Sequence, residues 1–211
     1  MTPGRGPGRP ALISRDAAVD AACDLADTEG VDAVSMRAVG HALGVTPMSL
    51  YRHITDKKAL LAAMVERAAA EYDLDALDGD WREQLLQLAR QQKALIHRHP
   101  WLPTLASRYH PLGPATLTYV ERLLELLAQS GLPQSALMET VGLFNGLVTA
   151  LSVAASERPS PPPHDAHDLP TLLATGRYPL FAALAGQPHL DLDLEFDRLV
   201  LRLIDGLAAH T

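Results

Sequence analysis

The chain has 211 residues, a length that accommodates one small domain and one larger one. Apolar residues make up 47 % and charged residues 20 %, which is an ordinary globular composition. A single cysteine excludes a disulfide framework and a cysteine-based zinc site, and it fits a reducing cytoplasm. No stretch approaches the roughly 20 apolar residues that span a membrane, so we expect a cytoplasmic protein with no membrane partner.

The net charge of −7 argues against a nucleic-acid partner for the chain as a whole, but the distribution of charge matters more than the sum. Residues 1–15 carry three arginines and no acidic residue, and residues 35–58 carry four cationic residues against one acidic residue. If these two segments share a surface, that surface can face phosphates while the rest of the protein stays acidic. Alternatively, these charges are scattered over the solvated surface, and composition alone does not distinguish a shared basic surface from scattered charges.

Capping residues, glycines, prolines and apolar periodicity predict a series of helices. The expected ranges are 14–29, 35–43, 46–54, 56–72, 80–99, 101–109, 114–131, 134–156, 169–185 and 192–209. Three glycines and three prolines in residues 1–13 predict a flexible basic arm, and the Pro-rich residues 157–167 predict a mobile loop. No segment of strand length shows alternating polarity with an enrichment of β-branched residues, so we expect an all-α fold.

The expected domains are the arm 1–13, an N-terminal three-helix helix-turn-helix DNA-binding domain at 14–58, and a larger C-terminal helical ligand-binding and dimerisation domain at 59–211. Two short helices joined by a tight glycine-containing turn are the helix-turn-helix arrangement, whose second helix enters a major groove about 12 Å wide. The segment SMRAVGHALGVTPMSLYRHITDKKALL, residues 35–61, resembles the TetR family of one-component regulators. The resemblance covers roughly residues 14–65.

The candidate DNA-binding residues lie in and around the two short helices: Ser35, Arg37, Thr46, Pro47, Met48, Ser49, Tyr51, Arg52, His53 and Lys57. Leu50 and Ile54 are expected to point inward and hold the second helix. The Tyr51 ring suits a thymine methyl and its hydroxyl a phosphate, and Arg37 suits guanine or a phosphate. Lys57, at a helix start, suits a phosphate. A core role for Tyr51 and a packing role for Met48 are the alternatives.

The rest of the chain, residues 73–211, is acidic, so we expect it to repel DNA and to have a function other than DNA binding. Helices rich in Leu and Ala leave room for a cavity between them. The candidate ligand-binding residues are its aromatic residues and an adjacent amide: Trp101, Tyr109, Tyr119, Phe144 and Asn145. The alternative for each of these residues is that it packs in the hydrophobic core and does not contact a ligand.

A row of small residues at every fourth position predicts close approach of another helix: Gly142, Gly146, Ala150 and Ala154. The last helix offers an apolar stripe of Leu199, Leu203 and Leu207. We therefore expect a two-fold homodimer in which these two helices pair with their copies. In the alternative, the glycines make space for a ligand or for a helix of the same chain.

Residues 168–181, DLPTLLATGRYPLF, and the amphipathic helix after them also resemble the tetracycline-repressor branch of the family. That branch binds Mg²⁺–tetracycline through a His on its sixth helix and an acidic residue late on its eighth. The matching positions here hold Leu105 or Ala106, and Ala154. We therefore expect no metal site and no cofactor. No catalytic motif is present, so we do not expect an enzyme.

Together these features predict a cytoplasmic transcriptional repressor. It would bind double-stranded operator DNA as a homodimer and be released when a small-molecule effector enters the C-terminal domain. An activator or a ligand-independent regulator of the same fold is one alternative. An all-α ligand carrier or enzyme with a vestigial DNA-binding head is another, from a different class.

Overall fold

The computed structural model describes residues 14–109, 111–156, 169–184 and 191–208, and these parts of the chain form eleven α-helices and no strand. The helices are α1 Arg15–Glu29, α2 Met36–Ala42, α3 Pro47–Leu50, α4 Lys57–Ala69, α5 Trp81–Arg98, α6 Leu102–Arg108, α7 Pro114–Ala128, α8 Gln134–Ser156, α9 Leu169–Ala174, α10 Pro179–Leu184 and α11 Phe196–Ala208. The predicted all-α class is confirmed. The predicted arm 1–13 and loop 157–167 lie outside the described residues.

Four helices begin at the predicted capping residues. The Ser14 hydroxyl accepts a hydrogen bond from the backbone N–H three residues later, and Ser35 and Asp56 do the same at the starts of α2 and α4. Asp80 begins α5 with a reciprocal capping box that includes Glu83. Each such cap stabilises its helix by about 1 kcal/mol, which explains why these helix starts are readable from sequence.

Several predicted helices differ from the structure, among them the fourth, which ends at Ala69 rather than at residue 72, and the last, which begins at Phe196 rather than at residue 192. The third was expected to run to Ile54, but α3 ends at Leu50, and a tight turn in which the His53 N–H donates to the Leu50 carbonyl follows it. The single helix expected over 169–185 is two helices, α9 and α10. The chain leaves α9 through turns in which the Thr175 and Gly176 N–H groups donate to carbonyls three residues earlier, and Pro179, which has no N–H to continue a helix, begins α10.

Helices α1 to α4 share one hydrophobic cluster, the N-terminal core, with residues from α5 and α6. Its buried members include Ala18, Ala22, Val34, Val39, Leu50, Ile54, Leu60, Met64, Leu95 and Leu105. Leu50 and Ile54 are buried as predicted, at 0 % and 3 % exposure. Helix α4 packs both with α1, which comes before the two short helices, and with α6 and α7, which follow it.

A second hydrophobic cluster, the C-terminal core, joins α5, α7, α8 and α11. Its buried members include Leu85, Leu88, Leu123, Leu126, Phe144, Val148, Phe196, Val200 and Ile204. Arg90 of α5 lies 2.5 Å from Asp197 of α11, and this guanidinium holds the pKa of the Asp197 carboxyl below its ordinary value. The last helix is therefore fixed to α5 of its own chain by both apolar and ionic contacts.

Helix α8 is more apolar than its packing accounts for. Within the described residues, its segment Gln134–Ala155 is long and apolar enough, by length and composition, to cross a membrane, whereas the sequence analysis expected no such segment. One side of α8 packs into the C-terminal core through Phe144 and Val148. Only 28 % of the most apolar part is buried in this chain. The remaining face therefore lacks a partner within the described residues.

The one cysteine, Cys23, is buried on α1. Burial, followed by the charge of Asp27, raises the pKa of its thiol from 9.0 to about 12. The thiolate is the reactive form, so we expect iodoacetamide at about pH 8 to label folded protein far more slowly than unfolded protein. Because folding raises the pKa of this thiol, the contribution of the thiol to the free energy of unfolding is fully present below pH 9.0 and is lost as the pH rises toward about 12. Mass spectrometry measures the rate at which iodoacetamide labels the thiol. Equal labelling rates with and without urea would contradict the burial of this cysteine.

Candidate functional site

The turn between α2 and α3 depends on two glycines. Gly44 adopts φ 66°, a left-handed conformation that side chains disfavour. The Val45 N–H donates to the Gly40 carbonyl over 2.8 Å, and a Cβ at Gly40 would lie 3.0 Å from the Val45 oxygen. A side chain at Gly40 would therefore have to push the turn outward slightly, and this close contact between the turn and α2 sets the direction of α3.

Seven of the predicted DNA-binding residues are exposed around this turn: Arg37, Thr46, Met48, Tyr51, Arg52, His53 and Lys57. Met48 is 70 % exposed and Tyr51 is 48 % exposed, so neither has the core position that was its alternative. Lys57 is the first residue of α4, directly after the capping Asp56. The structure therefore brings cationic and amphipathic side chains together on the outside of the N-terminal core.

The other three predicted residues, Ser35, Pro47 and Ser49, are half-buried. The Ser35 hydroxyl accepts from the Ala38 N–H over 3.1 Å, and the hydroxyl groups of Thr46 and Ser49 lie 3.1 Å apart. Pro47 is the first residue of α3. A surface depression of about 680 Å³ is lined by Ser35, Arg37, Thr46 and Pro47 together with His41. The sequence analysis did not include His41, although its place four residues after Arg37 puts both on one side of α2.

A cavity of about 410 Å³ lies between α4, α5, α6, α7 and α8. Three of the five predicted ligand-binding residues line it, namely Tyr109, Tyr119 and Asn145. Trp101 and Phe144 do not. Trp101 is buried in the N-terminal core and Phe144 in the C-terminal core. Aromatic side chains fill cores and line cavities alike, so only the packing of neighbouring helices separates these two groups.

Two tyrosines form an aromatic wall in this cavity. The rings of Tyr72 and Tyr119 stack with centroids 4.3 Å apart, and the Tyr119 hydroxyl donates to Asn145 Oδ1 over 2.5 Å. Burial raises the pKa of both phenols well above its ordinary value, so both are neutral at neutral pH. Tyr72 was not among the predicted ligand-binding residues; the sequence analysis placed it at the end of the fourth helix, whereas α4 ends at Ala69.

Gln92 is a second cavity residue that the sequence analysis did not identify. It is 6 % exposed, and its Nε2 donates to Thr149 Oγ1 over 2.9 Å and to the Asn145 carbonyl over 3.3 Å. Its Oε1 has no hydrogen-bond partner among the described residues. A glutamine on the otherwise apolar side of α5, between Leu88 and Leu95, was the signal available in the sequence. The described residues of the cavity wall include no Asp, Glu, Lys, Arg or His.

Helix α4 connects the cavity to the helix-turn-helix. Its Val65 and Ala69 line the cavity. On the same helix, the Glu66 carboxylate accepts hydrogen bonds from the Thr116 hydroxyl over 2.7 Å, from the Thr116 N–H and from the Ala115 N–H, all at the start of α7. The helix that begins at Lys57 therefore forms part of the cavity wall and caps another of its helices.

The predicted dimer residues occupy two different environments. The four small residues of α8, Gly142, Gly146, Ala150 and Ala154, are exposed. Gly142 also lines the cavity. Leu199 and Leu203 are half-buried beside the stripe of Phe196, Val200 and Ile204, which packs on the C-terminal core of the same chain. The Leu207 side chain lies outside the described part of the chain.

The described residues contain no group of three or more His, Cys, Asp or Glu side chains that could hold a metal ion. At the two positions that match the metal-binding residues of the tetracycline-repressor branch, Leu105 is buried in the N-terminal core and Ala154 is exposed on α8. Ala106, the neighbouring position in that match, lines the cavity.

Known proteins share both halves of this arrangement. Residues 18–64 match the family described as bacterial regulatory proteins, tetR family, and residues 75–211 match the family described as tetracyclin repressor-like, C-terminal domain. The HTH-type transcriptional repressor DrrR1 of Streptomyces coeruleorubidus is 34 % identical, over 97 % of this chain and 80 % of its own.

Solved structures of ActR from Streptomyces coelicolor have the same fold. The ligand-free form is 28 % identical with a TM-score of 0.79, and the match covers 94 % of this chain and 96 % of that one. The complex with actinorhodin is 27 % identical with a TM-score of 0.79, over 95 % of this chain and 98 % of that one. The chain belongs to the TetR family, with a C-terminal half of the tetracycline-repressor type, and it is a DNA-binding transcriptional regulator, as its sequence predicted.

Proposed function

We propose that the protein is a cytoplasmic, homodimeric repressor that binds double-stranded operator DNA and releases it when an uncharged small molecule enters the cavity between α4 and α8. One observation carries the proposal: exposed cationic, hydroxyl and aromatic side chains are grouped around α3 on a chain of net charge −7. DrrR1 is described as a repressor, and ActR has been solved with actinorhodin bound, which supports both repression and a response to a small molecule.

In the proposed complex, α3 enters a major groove. Tyr51 and Arg52, both exposed directly after α3, reach base edges and phosphates. Arg37 approaches from α2. His53 and Lys57 bind phosphates, and Lys57 does so where the first N–H groups of α4 also point outward. Because phosphate contacts release counterions, binding weakens as the salt concentration rises.

The dimer is proposed from the exposed face of α8. A Cβ on Gly142 or Gly146 would meet no atom within 4 Å among the described residues, so no described helix of the same chain requires these glycines. The adjoining Leu143 is 56 % exposed. A second copy of α8 packed here would remove apolar surface from water and use the small residues for close approach. Leu199, Leu203 and Leu207 of α11 remain candidates for the edge of this interface.

The cavity sets the chemistry of the proposed effector. An ionised group would be buried there without a counter-charge among the described residues, which is strongly unfavourable. The Tyr72–Tyr119 wall favours a planar aromatic ring. A ligand hydroxyl could satisfy the unpaired Oε1 of Gln92. We therefore propose an uncharged aromatic effector that carries a hydrogen-bond donor.

Repression would be relieved through α4. In a dimer that fits DNA, the two copies of α3 lie about 34–36 Å apart, matching successive major grooves. A ligand that binds better to another arrangement shifts the dimer toward that arrangement. Since α4 forms part of the cavity wall and begins at Lys57, a shift of this helix would change the spacing of the two recognition helices.

Selection from a pool of random duplexes tests the DNA-binding part of the proposal. We expect enrichment of a two-fold symmetric sequence that binds at least about a thousandfold more tightly than random DNA. A ligand carrier with a vestigial head would enrich no sequence, and this outcome would overturn the proposal. Reporter expression from the enriched site separates a repressor from an activator.

A matched pair of probes tests the effector chemistry. We expect 2-(hydroxymethyl)anthraquinone to bind at least about tenfold more tightly than anthraquinone-2-carboxylate, which has the same ring system but an ionised group. Isothermal titration calorimetry with the full-length protein measures both affinities. Equal affinities, or tighter binding of the carboxylate, would contradict an uncharged effector.

A further inference from the structure

A buried polar cluster, the junction, lies where α1 meets the corner between α5 and α6. His99 is the residue that caps the C-terminus of α5, and it is 6 % exposed. Its Nδ1 lies 2.8 Å and 3.0 Å from the two carboxylate oxygens of Asp27 on α1, and its Nε2 lies 3.2 Å from Glu71 Oε1, just after α4. Arg98 pairs with the same Glu71. The Trp101 Nε1–H donates to Asp27 over 2.6 Å.

The junction joins three separate parts of the chain. Asp27 lies on α1, which packs against α2 and α4; Glu71 follows α4; and His99 and Trp101 lie between α5 and α6, two helices that line the cavity. The carboxylates of Asp27 and Glu71 flank the two ring nitrogens of His99, and because carboxylates only accept hydrogen bonds, a ring N–H of His99 is the donor in each bond that forms. Apolar residues would fill this space without the cost of burying charge. What a hydrogen-bonded bridge adds is direction, because it favours one relative position of the groups it joins.

The apolar contacts around the junction are less directional than its hydrogen bonds. Helices α1, α4 and α6 meet in the N-terminal core through aliphatic side chains, and such contacts tolerate small sliding movements. The junction, by contrast, ties the end of α1 directly to the end of α5. Building on the proposed function, we propose that His99 is a positioning residue: its bridge to Asp27 and Glu71 sets the spacing of the two DNA-binding heads in the dimer.

The spacing preference of the protein tests this role. The probe is the duplex enriched by selection, compared with the same duplex carrying one extra base pair at its centre. For the wild-type protein we expect the insertion to lower affinity by about tenfold or more. His99→Gln keeps a polar side chain but bridges only one carboxylate. For this variant we expect the ratio of affinities for the two duplexes to fall to about twofold. Its affinity for a single half-site should stay within about twofold of the wild-type value.

Two further variants make the result decisive. Trp101→Phe keeps an aromatic ring and removes only the N–H donor to Asp27, so it tests the junction if His99→Gln does not fold. His97→Gln removes an exposed imidazole from the same helix and serves as the control, with the full wild-type preference expected. Wild-type spacing preference in both junction variants would overturn the inference while leaving DNA binding by the wild-type protein intact. Loss of half-site binding in them would mean that the junction merely folds the head, and would overturn it too.

Discussion

Replacing Tyr51 and Lys57 together by alanine lowers operator affinity by about 100-fold, because each substitution removes a contact worth about 1–3 kcal/mol. Both side chains are exposed and belong to neither core, so the fold and the cavity stay intact. Replacing Lys57 alone also reduces the slope of log affinity against log salt concentration by about one, as expected for the loss of one phosphate contact. Fluorescence anisotropy at several salt concentrations measures both effects.

Tyr178→Ala is the matched control for the tyrosine. Tyr178 is 45 % exposed against 48 % for Tyr51, but it lies between α9 and α10, away from the helix-turn-helix. We expect its replacement to leave operator affinity unchanged. An equal loss of affinity in the two tyrosine variants, or no loss in the Tyr51 and Lys57 variant, would contradict the assignment of the DNA-binding surface.

Phe144→Ala lowers the free energy of unfolding by about 3–5 kcal/mol, the range for a fully buried aromatic side chain. Phe144 is 0 % exposed and packs with α5, α7 and α11 in the C-terminal core. Had Phe144 formed a ligand contact in the cavity wall, its removal would weaken ligand binding at small cost to stability. Urea unfolding followed by circular dichroism measures the difference.

Phe181→Ala provides the comparison for this substitution. Phe181, on α10, is 56 % exposed, so we expect its removal to change the free energy of unfolding by less than about 0.5 kcal/mol. If Phe144→Ala were as stable as Phe181→Ala, Phe144 would not hold the place in the core that the structure gives it.

The helix-turn-helix was predictable because its determinants are local. Ser35 and Asp56 cap the helices that they precede, Gly44 permits the turn, and Leu50 and Ile54 are buried as the apolar pattern predicts. Each of these features depends on a few neighbouring residues. The resemblance to a known family adds the function, and the matches over residues 18–64 and 75–211 agree with it.

The cavity was less predictable because five helices contribute to it. Tyr119 and Asn145 were identified, but Tyr72 and Gln92 were not, and Trp101 lies in the junction instead. Whether an aromatic side chain faces a core or a cavity depends on neighbours that are distant in sequence. The same limit applies to α11, whose sequence offers several overlapping apolar stripes.

The most direct test of the account is the affinity of the wild-type protein for its selected duplex, measured by fluorescence anisotropy with and without saturating 2-(hydroxymethyl)anthraquinone. A repressor released by an uncharged aromatic ligand loses affinity by about tenfold or more when this probe fills the cavity. Unchanged operator affinity at full occupancy of the cavity would contradict the coupling between cavity and DNA-binding head.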